Sequence, residues 1–570
     1  MRRFLKEAGV FDPNRVLHYI AEISQFHRIQ GSKELPEAVR FIREELRIWG
    51  LNPELYEETY DGRTSYLTLK TPVAWDLVRG EVEVLGERLT TSLSPLVVMA
   101  HSPSGKAEGV VVHVARKEDW ENVEGKIVLV GSDWRDAYRR ANEKGAVGFI
   151  AYREGTGNAI PYIGLFLTRE DLEWARIPAV AVPESLAKRI IGKLNSGEEV
   201  KARIEVETQI NERQVLPILY AEVGKAPFIL FTAHICHPKP GANDNASGSA
   251  MLMELARVLN RLHDDSFRFG FAFLWIPEYY GTQAFVERYA ELERYYAVIN
   301  LDMVAGSPDR AGSTVMLVRT PLSRFSVVSG LLEYFLELAN EGGKSFSGSP
   351  LPRLRLKGFP YEMGSDHDIF NFFGVPATMP ITWPDRFYHS SEDTVDKVSK
   401  ESIEVIGRAV LATALALAKA EKEELQRFAR GYAMKYLGEL SRDRETEEAE
   451  RLVMMGLARD SRFLGIESGH EFREKPWLVW EVKGIISERF VRERDEKLAD
   501  EFKELTRDRK VLAQLHELLM LGEILPRERA FEALREEYGE VEEEKLEKLV
   551  SVLEKLGGLD SFSSCWSWTY

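Results

Sequence analysis

From residue 215 to about 420 the chain alternates between two hydrophobic patterns. FILFTAHI (228–235), FRFGFAFLWI (267–276), YAVINLDMVA (296–305), STVMLVRT (313–320) and VPATMPIT (375–382) are nearly continuous apolar runs. Stretches near 246–262, 282–292, 322–341 and 395–420 instead place apolar residues at helical spacing. Unbroken apolar strands need cover on both faces, and amphipathic helices provide it. The pattern therefore predicts an α/β fold, with a central mixed, largely parallel sheet sandwiched by helices.

Elsewhere the texture differs. Residues 14–49 carry a helical stripe (Val16, Ile20, Ile23, then Val39, Ile42, Leu46, Trp49), and RTSYLTLKT (63–71) reads as a strand. From about 80 to 210, short valine-rich strands such as EVEVLGE, VVVHVA, KIVLVGS, VGFIAYR, AVAVP and KARIEVET are separated by turn residues. His101 and His113 in this stretch have no carboxylate cluster beside them and read as ordinary surface or core histidines. Residues 421–570 turn to long charged helices, with Pro526 opening one and Gly557-Gly558 closing another. The expected units are 1–78 and 213–422, forming a catalytic domain, with a β-rich insert at 79–212. An α-helical C-terminal domain at 423–570 ends in a winged-helix-like bundle.

Composition narrows the partners. The 570 residues include 75 Lys+Arg against 91 Asp+Glu, a formal net charge of -16. Such a surface repels phosphate backbones, and the last helix is itself acidic, so nucleic acid is not expected. The C-terminal helices are expected to pack on the catalytic unit or on another subunit, making a homo-oligomer. The most apolar helical run, AVLATALALAKA (409–420), is too short to span a bilayer. Lys6 and Glu7 interrupt the basic N-terminus before a signal-type apolar core can form. Two cysteines, Cys236 and Cys565, make no disulfide framework. Together these features suggest a cytoplasmic protein without a membrane partner.

Four segments carry the candidate chemistry, each where a predicted strand ends: HICHPKPGANDN (234–245), WIPEYYG (275–281), NLDMVAG (300–306) and FYHSSEDT (387–394). They offer the imidazoles of His234, His237 and His389 and the carboxylates of Asp244, Glu278 and Asp302. Mixed nitrogen and oxygen donors suit zinc. Each segment also has a plainer reading: Asp244 as a helix N-cap, Tyr388-His389 as a surface turn, Asp302 as a loop cap. Four such segments at one sheet edge favour a site, because α/β sheets bind ligands there. If the first strand ran through residue 237, His234 and His237 would point to opposite faces and only one could be a ligand. Pro238 ends that strand near His237, which favours His237, with His234 as its partner or as a second ligand. Cys236 reads as packing, and Tyr388 and Trp383 as candidate pocket walls.

In order and wording these segments resemble the zinc aminopeptidase superfamily that also includes glutamate carboxypeptidases and glutaminyl cyclases. The ICHP…ANDN wording is closer to an aminopeptidase-like branch, and EGKIVLVGS with ANEKGAVGFIAY resembles a protease-associated domain. The resemblance covers about residues 10–420. It implies one or two zinc ions held by Asp244, Asp302, His389 and the His234/His237 pair, with Glu278 as general base toward a peptide substrate. It places Asp366 and His367 of GSDHDIF (364–370) beside the substrate, where Tyr279 and Tyr388 are further candidates. Two departures stand out. Tyr279 occupies the position of a second, metal-binding glutamate, and His-x-Asp has become His234-Ile235-Cys236, an alignment that favours His234 as the ligand where the ICHP wording favours His237. The expectation is a zinc exopeptidase, foremost an aminopeptidase. The alternatives are a metal-binding assembly module with reduced turnover, or carboxypeptidase, amidohydrolase or cyclase chemistry on the same fold.

Overall fold

The eight strands of the largest sheet are β1 (Glu54–Tyr60), β2 (Gln214–Val223), β3 (Phe228–His234), β4 (Gly270–Ile276), β5 (Tyr295–Asn300), β6 (Thr314–Val318), β7 (Leu356–Phe359) and β8 (Ala377–Trp383). They come from a computed structural model, which describes residues 1–467 and 474–561; Cys565 lies outside them. The spatial order is β1-β2-β4-β3-β5-β8-β6-β7. The β4-β3-β5-β8 centre is parallel and β6-β7 is also parallel, while β1, β2 and the β8-β6 pairing are antiparallel. Every residue of β3, β4 and β5 is buried, so helices cover both faces, as continuous apolar strands require. The helices Pro13–Ile23, Glu34–Ile48, Gly248–Leu262, Val327–Ala339 and Lys400–Lys419 supply that cover.

The parallel register decides where the site lies. His234 is level with Ile276, and Thr232 with Asn300, so the C-terminal ends of β3, β4 and β5 share one edge. The loops 235–247, 277–279 and 301–306 leave from that edge, and β8 runs parallel with β5 toward the loop carrying His389.

Two differences from the sequence reading have simple causes. The 63–71 stretch forms only a minimal hairpin, Ser65–Tyr66 with Leu69–Lys70. The real edge strand is ELYEETY, disguised by its glutamates: Glu54 and Glu57 are exposed, while Glu58 is buried against Tyr66, Arg288 and Tyr289. Residues Ala74–Asn211 build a separate seven-stranded sheet with its own hydrophobic core. The C-terminal helices, from Lys422–Leu440 to Glu543–Lys555, have no such separate core; their apolar faces join the core of the large sheet. Among the described residues no helix is long and apolar enough to cross a membrane.

Candidate metal centre

The loop after β3 is built by its neighbours. Arg28, wholly buried, donates from Nε to the Ile235 carbonyl (2.8 Å) and from Nη2 to that of Gly241 (3.2 Å), which clamps the loop at both ends. The two asparagines of NDN act as staples. Asn245 Nδ2 donates to the carbonyls of His234 (3.2 Å) and Leu301 (2.9 Å), and its Oδ1 accepts from the amides of Gly248 and Met303 (both 3.0 Å). Asn243 Oδ1 accepts from the Ala305 amide (3.0 Å). Asp393 Oδ1 and Oδ2 accept the amides of Asn243 (2.8 Å) and Asp244 (3.0 Å). With its flanks tied down, Asp244 keeps a non-helical backbone (φ -105°, ψ 100°) and a side chain free of capping duty.

That carboxylate faces three imidazoles. Asp244 Oδ2 lies 3.0 Å from His389 Nε2 and 3.3 Å from His237 Nε2, and Oδ1 lies 3.4 Å from His234 Nε2. His234 Nε2 is in turn 3.4 Å from Asp302 Oδ1. The expectation that His234 and His237 face apart is therefore corrected. The strand stops at His234, the chain turns, and strict alternation no longer applies. Two groups share Asp244: His237, Asp244 and His389, and His234, Asp244 and Asp302, with donor atoms within 4.8 Å of one another in each. His237 Nε2 and Asp302 Oδ1 are buried without a hydrogen-bond partner. Buried polar atoms are seldom left so, and both point into donor sets that suit zinc. Burial works against charge on His234, yet the carboxylates of Asp302 and Glu278 hold its imidazole well above the usual range. Burial would likewise raise Asp244, but His237 and His389 hold it well below. A strongly anionic carboxylate between imidazoles fits a cation bridge.

Glu278 follows β4 directly. Its amide donates to Cys236 Sγ (3.0 Å) and its carbonyl accepts from Gln30 Nε2 (3.2 Å), so the backbone is held from both sides. Cys236 belongs to neither metal group, and its sulfur positions Glu278. Burial, reinforced by Asp302, Asp366 and Asp244, pushes the Glu278 carboxyl well above the ordinary range, against the pull of His234. Tyr279 takes a left-handed φ of 58° and turns its hydroxyl away onto Asp368 Oδ2 (2.7 Å). Asp366 Oδ1 accepts from the Tyr279 amide (2.8 Å) and from Thr282 Oγ1, while its buried Oδ2 has no partner. Tyr388 stacks on His389 at 3.7 Å and meets Trp383 edge-on at 5.0 Å. His367, expected beside the substrate, is wholly buried, with Nε2 2.9 Å from the Glu362 carbonyl.

The sequence reading missed three contributors: Arg28, Asp393 and Tyr162. Asp393 was in view within SSEDT, but its partners lie about 150 residues away and no local pattern signals them. Tyr162 comes from the insert. Its amide donates to the His389 carbonyl (2.7 Å), and its ring centroid lies 5.2 Å from that of His237 and 5.1 Å from that of His389. His101, by contrast, is a buried core residue, with Nε2 2.9 Å from the Gln30 carbonyl.

Known proteins resemble this chain in sequence and in fold. Residues 219–414 match the model of Peptidase family M28, and residues 94–190 match that of the PA domain. Aminopeptidase YwaD of Bacillus subtilis (strain 168) is 27% identical over 261 residues, which is 43% of this chain and 53% of that relative. The chain thus spans about half the length of that relative. Leucine aminopeptidase 2 of Arthroderma otae is 23% identical over 372 residues, 58% of this chain and 70% of its own. Among solved structures, the zinc aminopeptidase BSAP from Bacillus subtilis superposes with a TM-score of 0.53 at 19% identity, over 72% of this chain and 96% of its own. A putative peptidase from Clostridium acetobutylicum superposes with a TM-score of 0.52 at 15% identity, over 81% of this chain and 96% of its own. At these identities the superpositions speak to the fold alone.

Proposed function

We propose that this chain, which carries a Peptidase family M28 segment and a PA domain, is a zinc aminopeptidase that hydrolyses short peptides. The observation that carries the reading is Asp244, shared by two metal-ligand groups with Glu278 beside them. His389 and Asp244 are completed by His237, which supplies the ligand that Tyr279 no longer offers. His234 and Asp302 complete the other group. Zinc bound there supplies the positive charge that makes a water acidic near neutrality and polarises a carbonyl. Glu278 takes the proton of the attacking water at its carboxylate and returns it to the leaving amine. Its raised pKa fits a group that must both accept and donate. Asp366, with one buried oxygen unspent, is placed to receive a cationic group such as a free α-amine. The rings of Tyr388 and Tyr162 both pack against His389 and form a wall beside it.

The test is zinc content together with hydrolysis of aminoacyl p-nitroanilides and free-amine peptides. Glu278→Gln is expected to keep its zinc and lose about 10²- to 10⁴-fold in kcat. Unchanged turnover would remove Glu278 from the reaction. A zinc-loaded wild-type chain that leaves free-amine peptides intact would overturn the assignment.

A further inference from the structure

Three segments far apart in sequence meet around one cavity of about 940 Å³ that reaches Glu278. The strand end supplies Glu278 and Tyr280, the insert supplies Arg135 and Asp171, and the C-terminal helices supply Arg489. Asp171 is shared by two guanidinium groups. Arg135 Nη2 donates to its Oδ2 (3.2 Å), and Arg489 Nη2 pairs with the same oxygen. The Asp171 carboxylate also accepts the Thr168 amide (2.9 Å), and Arg489 Nη1 donates to the Phe166 carbonyl (2.7 Å). One carboxylate cannot neutralise both guanidinium groups; Glu493 also lies 3.7 Å from Arg489, and the cavity lining as a whole carries acidic side chains as well as basic ones.

Arg135 is the less satisfied of the two. Of the five N–H groups on a guanidinium it uses one, and its side chain remains 36% exposed where it lines the cavity. Its position does not stabilise the helix Trp134–Glu143 either. It stands in the first turn, where the helix dipole disfavours a cation, and the helix start has no side-chain cap. Burial, with Arg489 adding to it, lowers the Arg135 guanidinium to about 10, which still leaves it charged near neutrality. A charged, forked donor with spare N–H groups is matched by a carboxylate. The cavity volume falls within the range of small-ligand sites, which suits a peptide of few residues.

We propose that this cavity holds the leaving portion of a short peptide, and that Arg135, braced by Asp171 and Arg489, binds a carboxylate on it. The proposal rests on the aminopeptidase reading for its orientation. It assigns the C-terminal helices a role as one wall of the substrate site.

Titration calorimetry on the zinc-loaded Glu278→Gln chain tests it without turnover. The probes are Ala-Gly-Gly, its C-terminal amide, and Ala-Glu-Gly amide. The free acid is expected to bind about tenfold or more tightly than its amide, a preference that Glu278→Gln/Arg135→Gln reduces to about onefold and Arg135→Lys retains in part. Tight binding of Ala-Glu-Gly amide would mark the carboxylate as a side chain, and weak binding would mark it as the chain terminus. Equal affinity for acid and amide, or a preference untouched by Arg135→Gln, would overturn the proposal. Thermal melts of both Arg135 variants check folding. Hydrolysis of alanine p-nitroanilide by the wild-type chain reports separately on the aminopeptidase reading. Acid-selective binding without that turnover would overturn the reading and leave the carboxylate site standing.

Discussion

His237 and Tyr279 form a compensating pair. Tyr279 commits its hydroxyl to Asp368, while His237 reaches Asp244 from the preceding loop, and under the proposed function His237 takes the ligand role that Tyr279 does not offer. If His237 belongs to one metal group and Asp244 to both, their loss has unequal effects. His237→Ala is expected to leave the His234 group intact and reduce bound zinc from two ions to one. Asp244→Asn is expected to abolish binding of both. Metal analysis of dialysed protein reads the difference, and a His237→Ala chain that still holds two ions would remove His237 from the ligand set. The imidazoles were legible because polar residues at the ends of apolar strands stand out. Their convergence was not, because it depends on the turn after His234.

At the level of elements, the loop between β3 and the helix Gly248–Leu262 matters more than either flank. Gly241 adopts φ 51°, and a Cβ there would lie 2.5 Å from both the Asp244 carbonyl and His237 Nδ1. Gly241→Ala therefore costs about 1–2 kcal/mol for the left-handed backbone alone and also pushes on His237. The expected outcome is a lower melting temperature together with zinc lost first from the His237 group. Full zinc occupancy with only a stability loss would show that the loop moves without disturbing His237. The strand and helix sequence of this region was readable from residue order, because each strand is apolar throughout. β1 escaped notice because its three glutamates, Glu54, Glu57 and Glu58, break the alternation of apolar and polar positions.

Across the whole molecule, the C-terminal helices dock through buried acids. Glu517 accepts the Ser323 amide (2.9 Å) and hydroxyl (2.8 Å), and Glu537 accepts the Leu322 amide (3.1 Å). Burial raises the Glu517 carboxyl to about 7, although Ser323 and the neighbouring Arg324 oppose the shift. Burial, with Glu517 alongside, holds the Glu537 carboxyl well above its usual range. The unfolded carboxyls titrate near 4.5, so between there and about 7 the folded chain binds more protons than the unfolded one. Stability is thus full below the unfolded pKa and declines as pH rises through the folded one. The melting temperature is expected to fall across that window, and less steeply in Glu517→Gln. Identical pH slopes for wild type and variant would rule out this contribution. The same docking brings Arg489 to the cavity, which ties a distant tract to the site.

Read alone, the sequence determined the layered α/β sheet, the presence of a β-rich insert, the helical C-terminus and the histidines and carboxylates that meet at one sheet edge. Hydrophobic period and strand-end chemistry are local properties, and local properties are written in order along the chain. The tertiary structure alone decided that Asp244 is shared by two ligand groups and that His234 and His237 both reach it. It also decided that His367 turns inward, that Tyr162 of the insert covers two histidines, and that C-terminal helices wall the cavity. Each of these depends on where a chain turns after a strand or on contacts across a hundred residues or more, which no local spacing encodes.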